Sequence, residues 1–261
     1  MTYRERPAVL PAGAVLWTRT IAADDASRPV LPDGCTDLIW SDGDPTARLF
    51  VAGPDTRAHL PAAPRGSRYT GIRFAPGTGP AVLGVPAHEL RDLRVPLDAL
   101  WSAAEVRRLM ERMALAYEDG GDGGDGGRGS DLEGPGVGRV LEAVAAERLR
   151  AADPPDPVLA AVVAGLRGGR AVAVVADAVG LSARQLHRRS LVAFGYGPKT
   201  LARVLRLNRA LEAARGGTPY AEVAAAVGYA DQAHLAREVR AFTGLPLGRL
   251  IGRPRPPSAA G

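Results

Sequence analysis

Hydrophobic and polar residues follow two different periods along the chain. Short β-rich segments, separated by Pro and Gly pairs, precede residue 80: Ala14–Ile21, Thr36–Trp40, Arg48–Ala52 and Tyr69–Phe74. This spacing predicts a small antiparallel barrel or sandwich. From Ser102 the apolar residues recur at helical spacing, which predicts an amphipathic helix. That helix either packs on the β domain or presents its apolar stripe to a second subunit.

Two changes of composition divide the chain. Residues 118–138 combine Gly and Asp with almost nothing apolar, which predicts a flexible linker. The second change is Ala152-Asp-Pro-Pro-Asp-Pro157, which ends any preceding helix and places Pro157 in the first turn of the next one. We therefore predict an α+β chain of two domains: a β-rich sensory or oligomerisation domain at 1–117 and an all-helical domain at 139–253.

A short sequence is duplicated in the helical half. Val175-Ala-Asp-Ala-Val-Gly180 recurs 48 residues later as Val223-Ala-Ala-Ala-Val-Gly228. Each copy ends in a Gly suited to a tight turn and is followed by an apolar residue, a helix-capping residue and a second helix. The capping residues are Ser182 and Asp231. This order is that of a helix-turn-helix unit, so the sequence predicts two such units.

The second helices of the two units, predicted at Ala183–Phe194 and Gln232–Phe242, expose polar side chains near their N-terminal ends. Arginine pairs with guanine and glutamine with adenine, so these side chains suit a helix in a major groove. Between them Pro198–Ala214 predicts a helix of about 25 Å, which would hold the two units roughly one DNA turn of ~34 Å apart. The candidate DNA-binding residues are Ser182, Arg184, Gln185, His187, Arg188, Lys199, Arg203, Asp231, Gln232, His234 and Arg237.

Charge is distributed unevenly between the two halves. Residues 158–253 carry 13 arginines and one lysine against five carboxylates, a net charge of +9, while the rest of the chain carries −4. A basic half joined to an acidic one predicts that the basic half binds a polyanion. Within it Lys199, Arg203, Arg206 and Arg209 either bind phosphates or form intramolecular ion pairs.

These motifs resemble the DNA-binding domain of the AraC/XylS family over about Val158–Leu250. The resemblance implies an all-helical domain that binds DNA through both units. Ser190 departs from the family, which has a core Phe there, and Pro246 lies one place earlier than usual. The segments that carry the resemblance are Gly180-Leu-Ser-Ala-Arg-Gln-Leu-His-Arg188, Gly195-Tyr-Gly-Pro-Lys199, Arg206…Ala210, Gly228-Tyr-Ala-Asp-Gln-Ala-His-Leu-Ala-Arg237 and Phe242-Thr-Gly244.

The N-terminal half is similar to the cupin-like sensory domain attached to a subset of these regulators. The similarity lies in Leu31-Pro-Asp-Gly-Cys-Thr-Asp-Leu38, Gly53-Pro54 and Gly71-Ile-Arg-Phe-Ala-Pro-Gly77. It implies the β fold and leaves the effector unknown.

Catalysis and metal binding are not expected. A metal-dependent cupin needs several histidines and a carboxylate, whereas the N-terminal half has only His59 and His88, in different surroundings. Cys35 is the only cysteine, which excludes an internal disulfide, a multi-cysteine zinc site and the zinc-held cysteine of the methyl-accepting DNA-repair regulators. We therefore expect no enzyme activity, no cofactor and no metal. With no membrane-length apolar run and no signal peptide, a cytoplasmic location is expected.

The expected function is a sequence-specific, DNA-binding transcriptional regulator of the AraC type, an activator or a repressor, with both units in successive major grooves. The alternative is a helical protein-interaction module, or a degenerate regulator that binds DNA weakly and without specificity. Double-stranded DNA is the expected partner. RNA polymerase, an unidentified small-molecule effector and a second copy of the chain are further candidates.

Overall fold

The computed structural model describes residues 2–10, 13–21, 29–42, 49–60, 66–119, 136–153 and 156–251. Its strands form a single antiparallel sheet in the order β1-β2-β5-β3-β4-β6. The predicted antiparallel β domain is thus confirmed. The strands are β1 (Thr2–Pro7), β2 (Val15–Thr20), β3 (Thr36–Ser41), β4 (Leu49–Ala52), β5 (Arg68–Phe74) and β6 (Arg94–Pro96).

Helices make up the rest of the regular structure. Short 3-10 helices lie at Ala87–Glu89, before β6, and at Leu97–Ala99, between β6 and the helical segments that follow. The α-helices are α1 (Gly79–Leu83), α2 (Ala103–Asp119), α3 (Val137–Ala151), α4 (Pro157–Arg167), α5 (Val172–Ala178), α6 (Ala183–Phe194), α7 (Pro198–Arg215), α8 (Tyr220–Val227), α9 (Gln232–Thr243) and α10 (Leu247–Ile251). Across the described ranges, none of them is long and apolar enough to cross a membrane.

One face of the sheet packs against α1, α2 and α3. Alternate strand residues such as Leu16, Leu38 and Ile72 are fully buried there because successive side chains on a strand point to opposite faces. From α2, Leu109 and Met113 enter the same core. Of the two roles left open for the amphipathic helix, packing on the β domain is therefore the one observed.

The opposite face of the sheet carries a buried group of polar and aromatic side chains. The indole nitrogen of Trp17 donates a 2.7 Å hydrogen bond to Asp37, and the Arg73 guanidinium lies 3.3 Å from the same carboxylate. Trp17 packs over Gly71, where a Cβ atom would lie 2.5 Å from the indole ring. Burial raises the pKa of Asp37 to about 6, although the charge of Arg73 opposes the shift.

Helix α3 belongs to the N-terminal core rather than to the helical domain predicted at 139–253. Its apolar stripe packs with the sheet residues, with Leu141 and Ala145 fully buried. Glu142 on the same helix accepts hydrogen bonds of 2.7 and 2.9 Å from Arg6, at the end of β1. The start of the helical domain is therefore corrected to lie after α3. Of the predicted linker 118–138, residues 120–135 lie outside the described part, and the flanking residues belong to α2 and α3 or, at 136, cap α3.

Helices α4 to α10 surround a second core centred on α7. The apolar face of α7 is buried at Leu201, Val204 and Leu207, and it contacts α4, α5, α6, α8 and α10. Ala176 on α5 and Ala224 on α8 are also buried, which suits their predicted place at a close helix crossing. The helical C-terminal region is thus confirmed, with α7 as the structural link between the two duplicated units.

Candidate nucleic-acid interface

The first helix-turn-helix unit consists of α5, a turn at 179–182 and α6. Gly180 adopts a φ of 66°, the left-handed conformation that favours glycine in a tight turn. Ser182 caps α6, because its hydroxyl accepts a hydrogen bond from the Gln185 backbone while the Gln185 side chain accepts one of 2.9 Å from the Ser182 backbone. Leu186 is fully buried behind this turn. The predicted boundaries of α6 are confirmed at both ends.

The second unit repeats this arrangement with α8, a turn at 228–231 and α9. Gly228 has a φ of 84°, and the Asp231 carboxylate accepts a 2.6 Å hydrogen bond from the backbone of His234. The His234 ring in turn accepts a 3.3 Å hydrogen bond from the backbone of Ala230 and lies edge-on against Tyr229. Leu235 is buried in the position that Leu186 occupies in the first unit.

All the candidate DNA-binding residues except His187 and Arg203 fall into two groups in the structure. Ser182, Gln185, Asp231 and His234 make hydrogen bonds within the two turns, so at least part of their bonding capacity is used locally. The other group is exposed and, among the described residues, has no hydrogen bond or ion pair: Arg184, Arg188, Lys199, Gln232 and Arg237. His187 is exposed but lies against Gly197, where a Cβ atom would be 2.7 Å from its ring.

Arg203 forms an intramolecular ion pair, one of the two roles considered for the cations of α7. Its guanidinium pairs with Glu238 on α9 at 2.7 Å and lies 4.9 Å from the ring centroid of Phe242. Both the hydrogen bond to Glu238 and its charge raise the pKa of Arg203. An arginine held in this way fixes α9 on α7 and contributes less to a phosphate contact than a free one.

Arg206 and Arg209 also act on the second unit from α7. Arg206 stacks 4.4 Å from the Tyr229 ring and donates to the carbonyl oxygen of Gly228 at 3.3 Å. Arg209 donates to the carbonyl oxygen of Val227 at 3.5 Å. These cations therefore hold the turn of the second unit in place, and the sequence alone did not distinguish this role from phosphate binding.

The N-terminal domain contacts the C-terminal ends of both α6 and α9. Gly195, with a φ of 82°, follows α6, and a Cβ atom there would lie 2.5 Å from Pro54 and 3.1 Å from the carbonyl oxygen of Ala87. At the second unit, the backbone of Ala58 donates a 2.7 Å hydrogen bond to Phe242. The ends of the two helices that lie away from the candidate DNA-binding residues are thus held by the β domain.

Titratable groups elsewhere form no metal site. In the ranges that the structure describes, no group of three or more His, Cys, Asp or Glu side chains is placed to hold a metal ion. Burial raises the pKa of the Cys35 thiol well above its usual value.

Known protein-family models match the two halves of the chain separately. Residues 175–253 match a helix-turn-helix domain, and residues 8–96 match a domain of unknown function, DUF6597. No curated protein matches the chain. Among solved structures, the chain is similar to apo ToxT from Vibrio cholerae at 10% identity and a TM-score of 0.45, covering 91% of this chain and 96% of that one. A second ToxT structure gives 8% identity and a TM-score of 0.44, covering 96% and 98%.

Two capped helix-turn-helix units on one connecting helix, behind a separate β domain, define a DNA-binding transcription regulator. Its C-terminal region is a helix-turn-helix domain of the AraC type.

Proposed function

We propose that the chain binds specific DNA sequences, with α6 and α9 in successive major grooves on one face of the duplex. The observation that carries the proposal is the placement of Arg184, Arg188, Gln232 and Arg237. They lie exposed on the N-terminal halves of α6 and α9 and have no partner within the described residues. The N-terminal part of a recognition helix is the part that contacts base edges.

In this proposal the N-termini of α6 and α9 contact the DNA backbone. Backbone amides there and the Ser182 hydroxyl donate hydrogen bonds to phosphates. The Asp231 carboxylate accepts the hydrogen bond from the His234 backbone and so fixes the N-terminus of α9. Lys199, exposed in the first turn of α7, supplies a further phosphate contact. Because both units belong to one chain, each monomer binds an asymmetric site.

A selection from a random DNA library with the purified full chain tests the proposal. Specific binding enriches one motif with two separate parts, and a library with no enriched motif would overturn the proposal. Arg184→Ala and Gln232→Ala are expected to relax base preference in different parts of the DNA motif, by about 1–3 kcal/mol each. Arg107→Ala on α2 is the control and leaves the motif unchanged. Wild-type base preference in all three variants would show that the base-contacting residues are wrongly assigned.

A further inference from the structure

A groove of about 980 Å³ lies between the two halves of the chain. One wall comes from α1, α2 and α3, which pack on the sheet, and the other comes from α4 and α6 of the helical domain. Its volume is at the upper end of the roughly 300–1,000 Å³ typical of small-molecule sites. A molecule in this groove would touch the β domain and helix α6 at the same time.

Apolar side chains contribute to both walls of the groove. Trp101, Leu109 and Val144 line the side of the β domain, and Leu159 and Val192 line the opposite side. Val192 on α6 is 45% exposed, which is a large apolar surface to leave in contact with water. This surface suits the apolar body of a ligand.

Several charges that line the groove are already neutralised. Arg148 lies 4.2 Å from the ring centroid of Trp101 and pairs with Glu105 at 3.3 Å. The carboxylate of Asp156 pairs with Arg189 at 2.9 Å. The first set links elements within the wall of the β domain and the second links α4 to α6 within the other wall, so these groups have little capacity left for a ligand.

Arg108 and Arg112 are different, because neither makes a hydrogen bond or an ion pair within the described part of the chain. They are four residues apart on α2, so their side chains lie next to each other on one face. Two adjacent guanidinium groups can bind a single anionic group with several charge-assisted hydrogen bonds. Glu147 and Asp153 also line the groove, and within the described ranges neither makes a hydrogen bond or an ion pair. Their charge disfavours a ligand with a second negative group.

We propose that the groove binds a small organic monoanion with an apolar body. Its anionic group lies between Arg108 and Arg112, and its body lies against Leu109, Val144 and Val192. The bound molecule links α2 to α6. Its effect on DNA affinity rests on the proposed function, whereas the binding of the molecule to the groove does not depend on it.

Titration of the full chain with anilinonaphthalene sulfonate, followed by fluorescence, tests the site. Phenylnaphthylamine, which has the same rings without the sulfonate, is the neutral probe. We expect one saturable sulfonate site, which the double variant Arg108→Gln/Arg112→Gln weakens about tenfold or more. The double variant leaves the affinity for phenylnaphthylamine unchanged. Val192→Asp, on the opposite wall, weakens both probes.

Arg107→Gln is the matched control, because Arg107 is exposed on the same helix and does not line the groove. Several weak dye sites that the double variant leaves unchanged would overturn the proposal. Equal loss of both probes in the double variant would also overturn it. DNA affinity is measured separately, with and without saturating dye. If saturating dye leaves the DNA affinity unchanged, the coupling between the groove and α6 is rejected while the binding site is retained. If the chain does not bind DNA at all, the proposed function is rejected and the dye titration still tests the site.

Discussion

The backbone amide of Ala58 donates a hydrogen bond of 2.7 Å to the carbonyl oxygen of Phe242. Ala58 follows β4 in the N-terminal domain, and Phe242 lies in the last turn of α9. A direct backbone contact therefore joins the β domain to the second helix-turn-helix unit. Together with the contact at Gly195, it places the β domain where it can restrain both helices.

The contact at Gly195 can be tested by comparing it with Gly228. Both residues have positive φ, so Ala at either position costs about 1–2 kcal/mol of stability from backbone strain. Only at Gly195 does the new methyl group also collide with Pro54 and Ala87, since nothing lies within 4 Å of a Cβ at Gly228. We expect Gly195→Ala to lose a further ~1–3 kcal/mol from overpacking. Denaturant unfolding of both variants measures the difference, and equal losses would contradict a tight contact between the domains.

Ser190 is expected to destabilise the first unit. Its side chain is fully buried, and its hydroxyl has no hydrogen-bond partner among the residues that the structure describes. Ser190→Ala should therefore raise the free energy of unfolding by about 1 kcal/mol. Thr243→Val is the control. The buried Thr243 hydroxyl donates a 2.8 Å hydrogen bond to the carbonyl oxygen of Val239, so its removal should lower the free energy of unfolding. A lower thermal midpoint for Ser190→Ala would show that its hydroxyl is bonded in solution.

Arg203 and Lys199 should differ in what they contribute to DNA binding. Arg203→Gln loses the ion pair to Glu238, with an expected cost of about 0.5–1 kcal/mol of stability since the arginine is half exposed. Lys199→Gln should leave stability unchanged and reduce the slope of log affinity against log salt by about 1. Thermal unfolding and salt titrations of DNA binding measure these effects. A reduced slope for Arg203→Gln would show that Arg203 binds phosphate after all.

The pKa of Asp37 predicts a specific dependence of stability on pH. The folded chain raises this pKa from 3.8 to about 6, so between these values the folded state holds a proton that the unfolded state has lost. Stability therefore falls as pH rises across this window, by about 2–3 kcal/mol in all. Asp37→Asn should remove this pH-dependent contribution to the free energy of unfolding. The contribution is measured as the difference between the wild-type and variant profiles of unfolding free energy against pH. Parallel profiles from pH 4 to 6 would contradict the shift.

Local signals in the sequence were sufficient for α6 and nearly so for α9. The side chains of Ser182 and Asp231 cap the helices within the same few residues, and Gly195 ends α6 at the next position along the chain. Such signals do not depend on distant partners, which is why the helix boundaries agree with the structure.

The features that sequence analysis missed depend on distant residues. The edge strands β1 and β6, which the sequence did not predict, pair only with β2 and β4 respectively, and their own patterns are weak. Helix α3 was assigned to the wrong core because its apolar stripe fits either one, and Glu142 meets Arg6 across 136 positions. Arg203 likewise finds Glu238 35 positions away, which spacing on a single helix cannot predict.

The packing of α3 on the sheet also determines where the chain can be divided. The conspicuous Gly-rich segment interrupts the N-terminal module, and a cut there would strip the sheet of Leu141 and Ala145. The module boundary instead falls between Ala152 and Pro157, where Asp156 already caps the first helix of the other half. Recombination that exchanges sensors between regulators, in evolution or in a designed chimera, would conserve both cores only at this short junction.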